Sequence, residues 1–252
     1  MNFALQGKVA IVTGARTGIG KAIAIELAKS GANIVGVGSS SLEEIREEIE
    51  GFGVGFLPIQ ADLTKPSQAL FQDILQKTLD QFSQVDILIN NAGIIRRDDA
   101  LAFSEKDWDD VMNINAKTVF FLSQAVAGQF IKQGGGGKIV NIASMLSYQG
   151  GVRVPSYTTS KSGVMGLTRL LANEWAKYNI NVNAVAPGYI ATENTRALRE
   201  DAARSYEILG RIPAGRWGEP SDISGAVAFL CSSAANYIHG FTLAVDGGWL
   251  AR

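Results

Sequence analysis

Residues 157–161 read YTTSK, which sets a phenol and an ammonium four positions apart. In a helix that spacing is one turn, so both groups lie on one face. Facing solvent, the pair decorates a surface; facing a cleft, it is an acid with a cation to adjust it. A free tyrosine ionises near pH 10, so only about one in a thousand is phenolate at neutral pH. Bringing it to about 7 takes roughly 4 kcal/mol of differential stabilisation, more than an exposed ion pair supplies, and the site must therefore be partly closed. Such a pair arises by chance in about one chain in four of this composition, so its weight depends on its surroundings.

A second stretch with chemical content is TGARTGIG, residues 13–20, which follows an apolar run and opens into a helical pattern. Glycines there let the backbone turn tightly and approach a pyrophosphate, whose charge sits against the free N–H groups and positive dipole end of the helix. Gly14, Gly18 and Gly20 give the spacing G-x-x-x-G-x-G, a departure from the G-x-G-x-x-G fingerprint. The competing reading is an ordinary glycine-rich turn.

Composition narrows the partners. A formal net charge of −1 over 252 residues supplies no basic field for nucleic acid or an anionic membrane. The one cysteine, Cys231, allows neither an intramolecular disulfide framework nor a cysteine metal cluster, and no metal is expected. No stretch approaches the roughly 18 uninterrupted apolar residues of a membrane span, and the first residues lack a leader pattern. A soluble, cytoplasmic protein with a small-molecule partner is expected.

The elements that must position these residues alternate strictly. KVAIVTG, ANIVGVG, VGFLPIQ, VDILIN, GKIVNIAS, INVNAVAP and FTLAVDGG are short and rich in β-branched residues, most of them too continuously apolar for a sheet with one wet face. Helical periodicity fills 19–30, 42–51, 67–82, 105–133, 157–178 and 220–232, with a further piece at 197–209. The pattern predicts an α/β fold: one Rossmann-type domain over 1–252, a doubly wound parallel sheet of about seven strands with helices on both faces. GGGG at 134–137 reads as a helix-to-strand turn. Ligands of such sheets bind at the carboxyl ends of the strands.

Residues at those ends carry a resemblance. The chain resembles the classical short-chain dehydrogenase/reductases along its whole length: TGARTGIG after the first strand, ADL after the third, NNAG after the fourth, Asn115 in MNIN, Ser144 in NIASM, Tyr157 thirteen positions later with Lys161, and PGYIAT after the sixth strand. The resemblance implies catalytic roles for Asn115, Ser144, Tyr157 and Lys161. Tyr157 would exchange the proton with the substrate oxygen, Ser144 would hydrogen-bond that oxygen, Lys161 would also hold the nicotinamide ribose, and Asn115 would anchor a water. It implies cofactor contacts from Gly14, Arg16, Thr17, Gly18, Ile19, Gly20, Ser39, Asp62, Leu63, Asn90, Asn91, Gly93, Tyr157, Lys161, Pro187, Gly188, Ile190 and Thr192. His239 is expected to be structural or interfacial.

Cofactor choice is open at the second strand. An NAD enzyme should end it in Asp or Glu, and Gly38 stands there; an NADP enzyme wants a cation, and none follows before Arg46. Arg16 reaches a phosphate or covers the adenine. The reading is NAD, with NADP not excluded. Three further stretches, GIIRRDDALAFSEKDWDDVMN, ASMLSYQGGVRVPSYT and AVDGGWLAR, are similar to family members acting on deoxy sugar acids. An anionic substrate needs a cation, and Arg153, between Ser144 and Tyr157, is the first candidate; Arg96 and Arg97 follow, with a charge-balanced surface loop as the competing reading. Gln149 and Tyr148 could meet hydroxyls. Residues 191–217 resemble the family's mobile lid, with Gly188 and Gly215 as possible hinges, and a homotetramer is implied. An NADPH-dependent 3-oxoacyl-carrier-protein reductase and a non-catalytic dinucleotide-binding protein are the alternatives.

Overall fold

The computed structural model describes residues 3–252. Seven strands, β1 (Val9–Thr13), β2 (Asn33–Gly38), β3 (Phe56–Gln60), β4 (Ile87–Asn90), β5 (Gly137–Ile142), β6 (Ile180–Pro187) and β7 (Thr242–Val245), form one parallel sheet in the order β3-β2-β1-β4-β5-β6-β7. The order reverses between β1 and β4, and a crevice opens at the carboxyl ends of the strands there. The expected single-domain, doubly wound fold is what forms.

Most strands are largely apolar because each face of the sheet has its own core. In β1, Ala10 and Val12 pack with Ile23, Ala24 and Leu27 of α1 (Gly18–Lys29) and with Val227 and Ala228 of the helix at Pro220–Cys231. The alternate residues Val9 and Ile11 pack on the opposite face with Phe71 and Ile74, Leu122, Val126 and Phe130, and Leu171. Those groups come from three helices at Gln68–Phe82, Thr118–Gln133 and Pro155–Trp175. Phe130 is completely buried, and truncating it to alanine would cost about 3–5 kcal/mol.

In chain order the helices are α1, α2 (Arg46–Glu50), α3 (Gln68–Phe82), α4 (Glu105–Met112), α5 (Thr118–Gln133), α6 (Pro155–Trp175), α7 (Arg196–Glu200), α8 (Ala202–Arg211) and α9 (Pro220–Cys231). Local chemistry sets their starts. Ser67 and Ser104 cap α3 and α4 through Leu70 N and Asp107 N, and proline opens α6 and α9.

Two predicted helices are broken. The span 105–133 is divided by a π-helical turn at Asn113–Lys117, and 197–209 is split at Asp201, whose carboxylate caps α8 by accepting from Arg204 N at 2.9 Å. Tertiary bonding explains the first break. Asn115, fully buried, accepts from Ile94 N at 2.9 Å and donates to Ile94 O at 3.0 Å, a bridge that re-aims the helix at the loop after β4.

Candidate active site

Thr13 closes β1 and organises the crevice. Its hydroxyl donates to Ile89 O and accepts from the backbone N–H groups of Asn91 and Ala92, both at 3.0 Å, which fixes the turn after β4 beside the glycine loop. The Asn91 amide then donates to Thr13 O and Gly14 O. Glycine is required where these segments meet. A Cβ on Gly20 would lie 2.0 Å from Gly14 O and 2.4 Å from the Asn91 amide, and Gly14 has φ +66°.

These approaches leave a cleft of about 340 Å³ lined by Gly14, Thr17, Gly18, Ile19, Gly20, Asn91, Gly93, Pro187, Gly188, Ile190 and Thr192, with Ser144, Tyr157 and Lys161 at one end. A bare-backbone cradle at the N-terminus of a twelve-residue helix, with no acidic residue in its first turn, fits the pyrophosphate of a dinucleotide. Not every expected contact reaches this cleft. Asn90 is buried behind it, donating to Ser123 Oγ and Asn141 Oδ1, and Leu63 is in the core with its carbonyl accepting from Thr118. Arg16, Ser39 and Asp62 lie beyond its walls. Arg16 stands 3.9 Å from Glu44, Ser39 O accepts from Gln60, and Asp62 caps its own turn through Thr64, which holds its carboxyl below the usual range.

Tyr157 and Lys161 share the first turns of α6. The Lys161 ammonium, nearly buried, donates to Ile142 O at 2.6 Å and sits 5.8 Å from the Tyr157 ring centre. Ser147 holds the same turn by donating to Lys161 O at 2.6 Å. Ser144 Oγ accepts from Leu146 N at 3.1 Å, which leaves its hydrogen to donate into the crevice. Burial pushes the Tyr157 phenol up, and the Ser144 hydroxyl and the Arg97 charge pull it partly back. Burial likewise lowers Lys161 to about 8. The sequence expectation of a lowered pKa rests on Lys161 together with an oxidised nicotinamide; among the protein's own groups desolvation outweighs the neighbouring charges. Asn115 differs as well: both of its amide protons are used, on Ile94 O and Ser160 Oγ, so its side chain is a brace between α4, α6 and the loop after β4.

Ser144 and Tyr157 also line a second cavity of about 440 Å³, roofed by residues 194–211. Arg97, Arg204 and Arg211 stand on its wall against a single carboxylate, Glu207, which pairs with Arg204 at 2.9 Å. Gln149 lines it too, accepting from Trp249 Nε1 at 3.1 Å. Arg153 does not. Its guanidinium is 57% exposed and faces Asp98 and Asp99, and its backbone, at φ +63°, accepts from Asp98 N. Arg153 thus ties two loops together, and the cationic wall comes from elsewhere. Arg96 pairs with Asp107, and the Tyr148 hydroxyl donates to Thr242 O.

Known proteins resemble the chain over almost its whole length. The short chain dehydrogenase family matches residues 8–203. The 2-dehydro-3-deoxy-D-gluconate 5-dehydrogenase of Escherichia coli (strain K12) is 62% identical over 250 residues, 99% of this chain and 98% of that one. The chain belongs to the short chain dehydrogenase family. Among solved relatives of this dehydrogenase, an Agrobacterium tumefaciens protein with bound NADP is 53% identical, with a TM-score of 0.92 over 100% of this chain and 99% of that one. A gluconate 5-dehydrogenase from Burkholderia cenocepacia J2315, in complex with NADP and tartrate, is 37% identical, with a TM-score of 0.93 over 100% and 98%. The dehydrogenase is an oxidoreductase of CH–OH groups that uses NAD or NADP.

Sequence reasoning missed Arg204, Glu207, Arg211 and Trp249 as cavity residues of the dehydrogenase. Arg204, Glu207, Ile208 and Arg211 recur at helical spacing, and that repeat was the available signal. The lid ends are fixed by backbone pairing, with Ala191 N donating to Gly218 O and Gly218 N to Tyr189 O. Gly188 packs against Asp246, where a Cβ would lie 2.6 Å from the backbone, whereas Gly215, φ +68°, has open space around it. His239 lies outside both cavities, its ring beside the Asn181 amide.

Proposed function

We propose that this chain is a 2-dehydro-3-deoxy-D-gluconate 5-dehydrogenase that uses NAD. The observation that carries the reading is the position of Ser144 and Tyr157 at the junction of two cavities, a glycine-walled cleft and a pocket whose three arginines outnumber its one carboxylate. A neutral or lipid-like substrate has no use for that charge. A small polyhydroxy acid does. The substrate named for the Escherichia coli relative is of this class.

In the proposed mechanism Gly14, Thr17, Gly18, Ile19 and Gly20 hold the dinucleotide phosphates, and Asn91, Gly93, Lys161, Pro187, Gly188, Ile190 and Thr192 hold the nicotinamide half. The bound nicotinamide supplies the hydride acceptor for alcohol oxidation. Tyr157 takes the proton from the substrate hydroxyl as the carbonyl forms, and Ser144 donates its free hydrogen to the same oxygen. Lys161, anchored on Ile142 O, keeps a positive charge beside the phenol and favours its ionised form. Asn115 positions the loop carrying Gly93 and Ile94 against α6.

NAD is favoured because, among the described residues, the arginines nearest the end of β2 already face carboxylates. Arg46 is held by Glu43 and Glu50, and Arg16 faces Glu44. The test is steady-state kinetics with NADH and NADPH against 2,5-diketo-3-deoxy-D-gluconate and an acetoacetyl thioester. We expect turnover of the keto sugar acid, with kcat/KM at least about tenfold higher for NADH. Turnover of the thioester alone would replace this reading with the acyl reductase; turnover of neither, with dinucleotide binding intact, would favour a binding protein. A preference for NADPH with the sugar acid would overturn only the cofactor assignment.

A further inference from the structure

The roof of the substrate cavity is asymmetric in charge. On α8, Arg204, Glu207, Ile208 and Arg211 all face the cavity, spanning two helical turns. Ile208, 3% exposed, is the one buried residue of the helix and packs with Met145, Ile212 and Trp249. It leaves one arginine on the turn before it and one on the turn after it. Arg204 already has its carboxylate, Glu207. Arg211 has none among the described residues and stands with its guanidinium carbon 4.2 Å from the centre of the Trp249 ring.

A guanidinium held over an aromatic face is positioned without consuming its N–H donors, which stay available for a planar acceptor. The surroundings stiffen this arrangement. The Trp249 indole donates to Gln149 Oε1 at 3.1 Å, which leaves the Gln149 amide protons for a ligand, and Arg252 donates to Gly210 O at 2.9 Å, clasping the end of α8. Tyr189 packs edge-on against Trp249 at 4.8 Å.

Arg97 is at the other pole. It donates to Asn194 O at 3.1 Å, and Asn194 lines both cavities, whereas Arg211 sits over Trp249, which lines the substrate cavity alone. An acid whose reacting carbon is several bonds from its carboxylate cannot place both at Tyr157. In the proposed substrate four bonds separate C1 from C5, so the carboxylate belongs at the pole away from the phenol.

We propose that Arg211, held over the Trp249 ring, is the residue that recognises the substrate carboxylate, with the Gln149 amide as a second donor, and that it selects an acid over its neutral counterpart. Trp249 is a positioning residue for it. This inference rests on the sugar-acid reading for its substrate, although the site itself is open to any short hydroxy acid. Arg97, by contrast, belongs to the reacting end.

The test compares wild type with Arg211→Gln, Arg211→Lys and Trp249→Leu. KM and kcat are measured with the keto sugar acid and with its C1 amide. For Arg211→Gln we expect KM for the acid to rise roughly 10- to 100-fold, the effect of losing a charge-assisted contact, with kcat within about threefold and the amide unaffected. Arg211→Lys should restore only part of the affinity, and Trp249→Leu should raise KM for the acid more than for the amide. Equal losses on acid and amide, or a loss confined to kcat, would overturn the assignment. A second arm separates this inference from its parent. Calorimetric titration of D-gluconate into the enzyme with NAD bound should give binding that Arg211→Gln abolishes, whether or not the keto sugar acid is turned over. Binding that survives in Arg211→Gln, or no binding to wild type, would sink the proposal.

Discussion

Tyr157 and Lys161 share a turn of α6, and burial acts on each against its charged form. The phenol is pushed above its ordinary 10 and the ammonium down from 10.5 to about 8. In the cofactor-free protein an ultraviolet titration of phenolate, wild type minus Tyr157→Phe, should therefore place Tyr157 above pH 10, and added NAD should lower it. A Tyr157 that already ionises near neutrality without NAD would contradict this. The same variant should lose about 10²- to 10⁴-fold in turnover while still binding dinucleotide, measured by single-turnover kinetics and calorimetry. For Lys161 the linkage has a definite sign. Its folded pKa lies below its unfolded one, so folding is penalised fully below about pH 8 and not at all above about 10.5. Wild type should gain up to about 3 kcal/mol relative to Lys161→Met across that window, read by urea denaturation. A flat difference would mean that the ammonium is not desolvated. At this scale the YTTSK spacing was legible, because one helical turn is a local property. Arg153 was not, since nothing local says that its guanidinium faces Asp98 and Asp99 instead of the cavity.

The elements divide into those that local pattern specifies and those that a distant partner reshapes. All seven strands could be read from sequence because helices cover both faces of the sheet, making most of the runs largely apolar. The break between α4 and α5 could not, since the apolar period continues through it and its cause, the bridge from Asn115 to Ile94, spans 21 positions. Asn115→Ala would leave the Ile94 N–H and carbonyl without partners at a cost of roughly 2–4 kcal/mol. We expect a fall in midpoint denaturant concentration at unchanged slope, together with reduced turnover. The roof behaves differently. Leu198, Ile208 and Ile212 are its apolar attachments to the satellite core, and α7 has no buried residue. Few buried contacts mean a low local opening free energy. Amides of α7 and α8 should exchange with deuterium faster than those of α5, and slow when NAD and a sugar acid are bound together. Equal protection of α5 and α8 without ligand would rule out a mobile roof.

For the whole molecule, the sheet ends on one side at β7, a four-residue edge strand whose Thr242 carbonyl is met by the Tyr148 hydroxyl. Phe241, just before it, is 55% exposed, and Tyr237 is completely exposed. Gly240 lies against Ala172 and Arg169, which brings this apolar edge alongside α6, where Leu170 is exposed as well. Large apolar side chains gathered at a sheet edge are a liability in a monomer and an asset in a symmetric assembly. The family resemblance implied a homotetramer, but an interface is a property of two surfaces and no pattern within one chain specifies its symmetry. If this edge is an isologous contact, substituting one side chain changes the interface twice. Phe241→Asp would then oppose two like charges near a two-fold axis and bury both, a change that a surface residue of a monomer would tolerate within about 0.5 kcal/mol. Light scattering after size exclusion should give four times the chain mass for wild type and a smaller species for Phe241→Asp. The far-ultraviolet circular dichroism of the variant should stay native, because β7 remains paired with β6. A wild-type monomer would refute the expectation outright, and an unchanged assembly in the variant would move the interface away from β7.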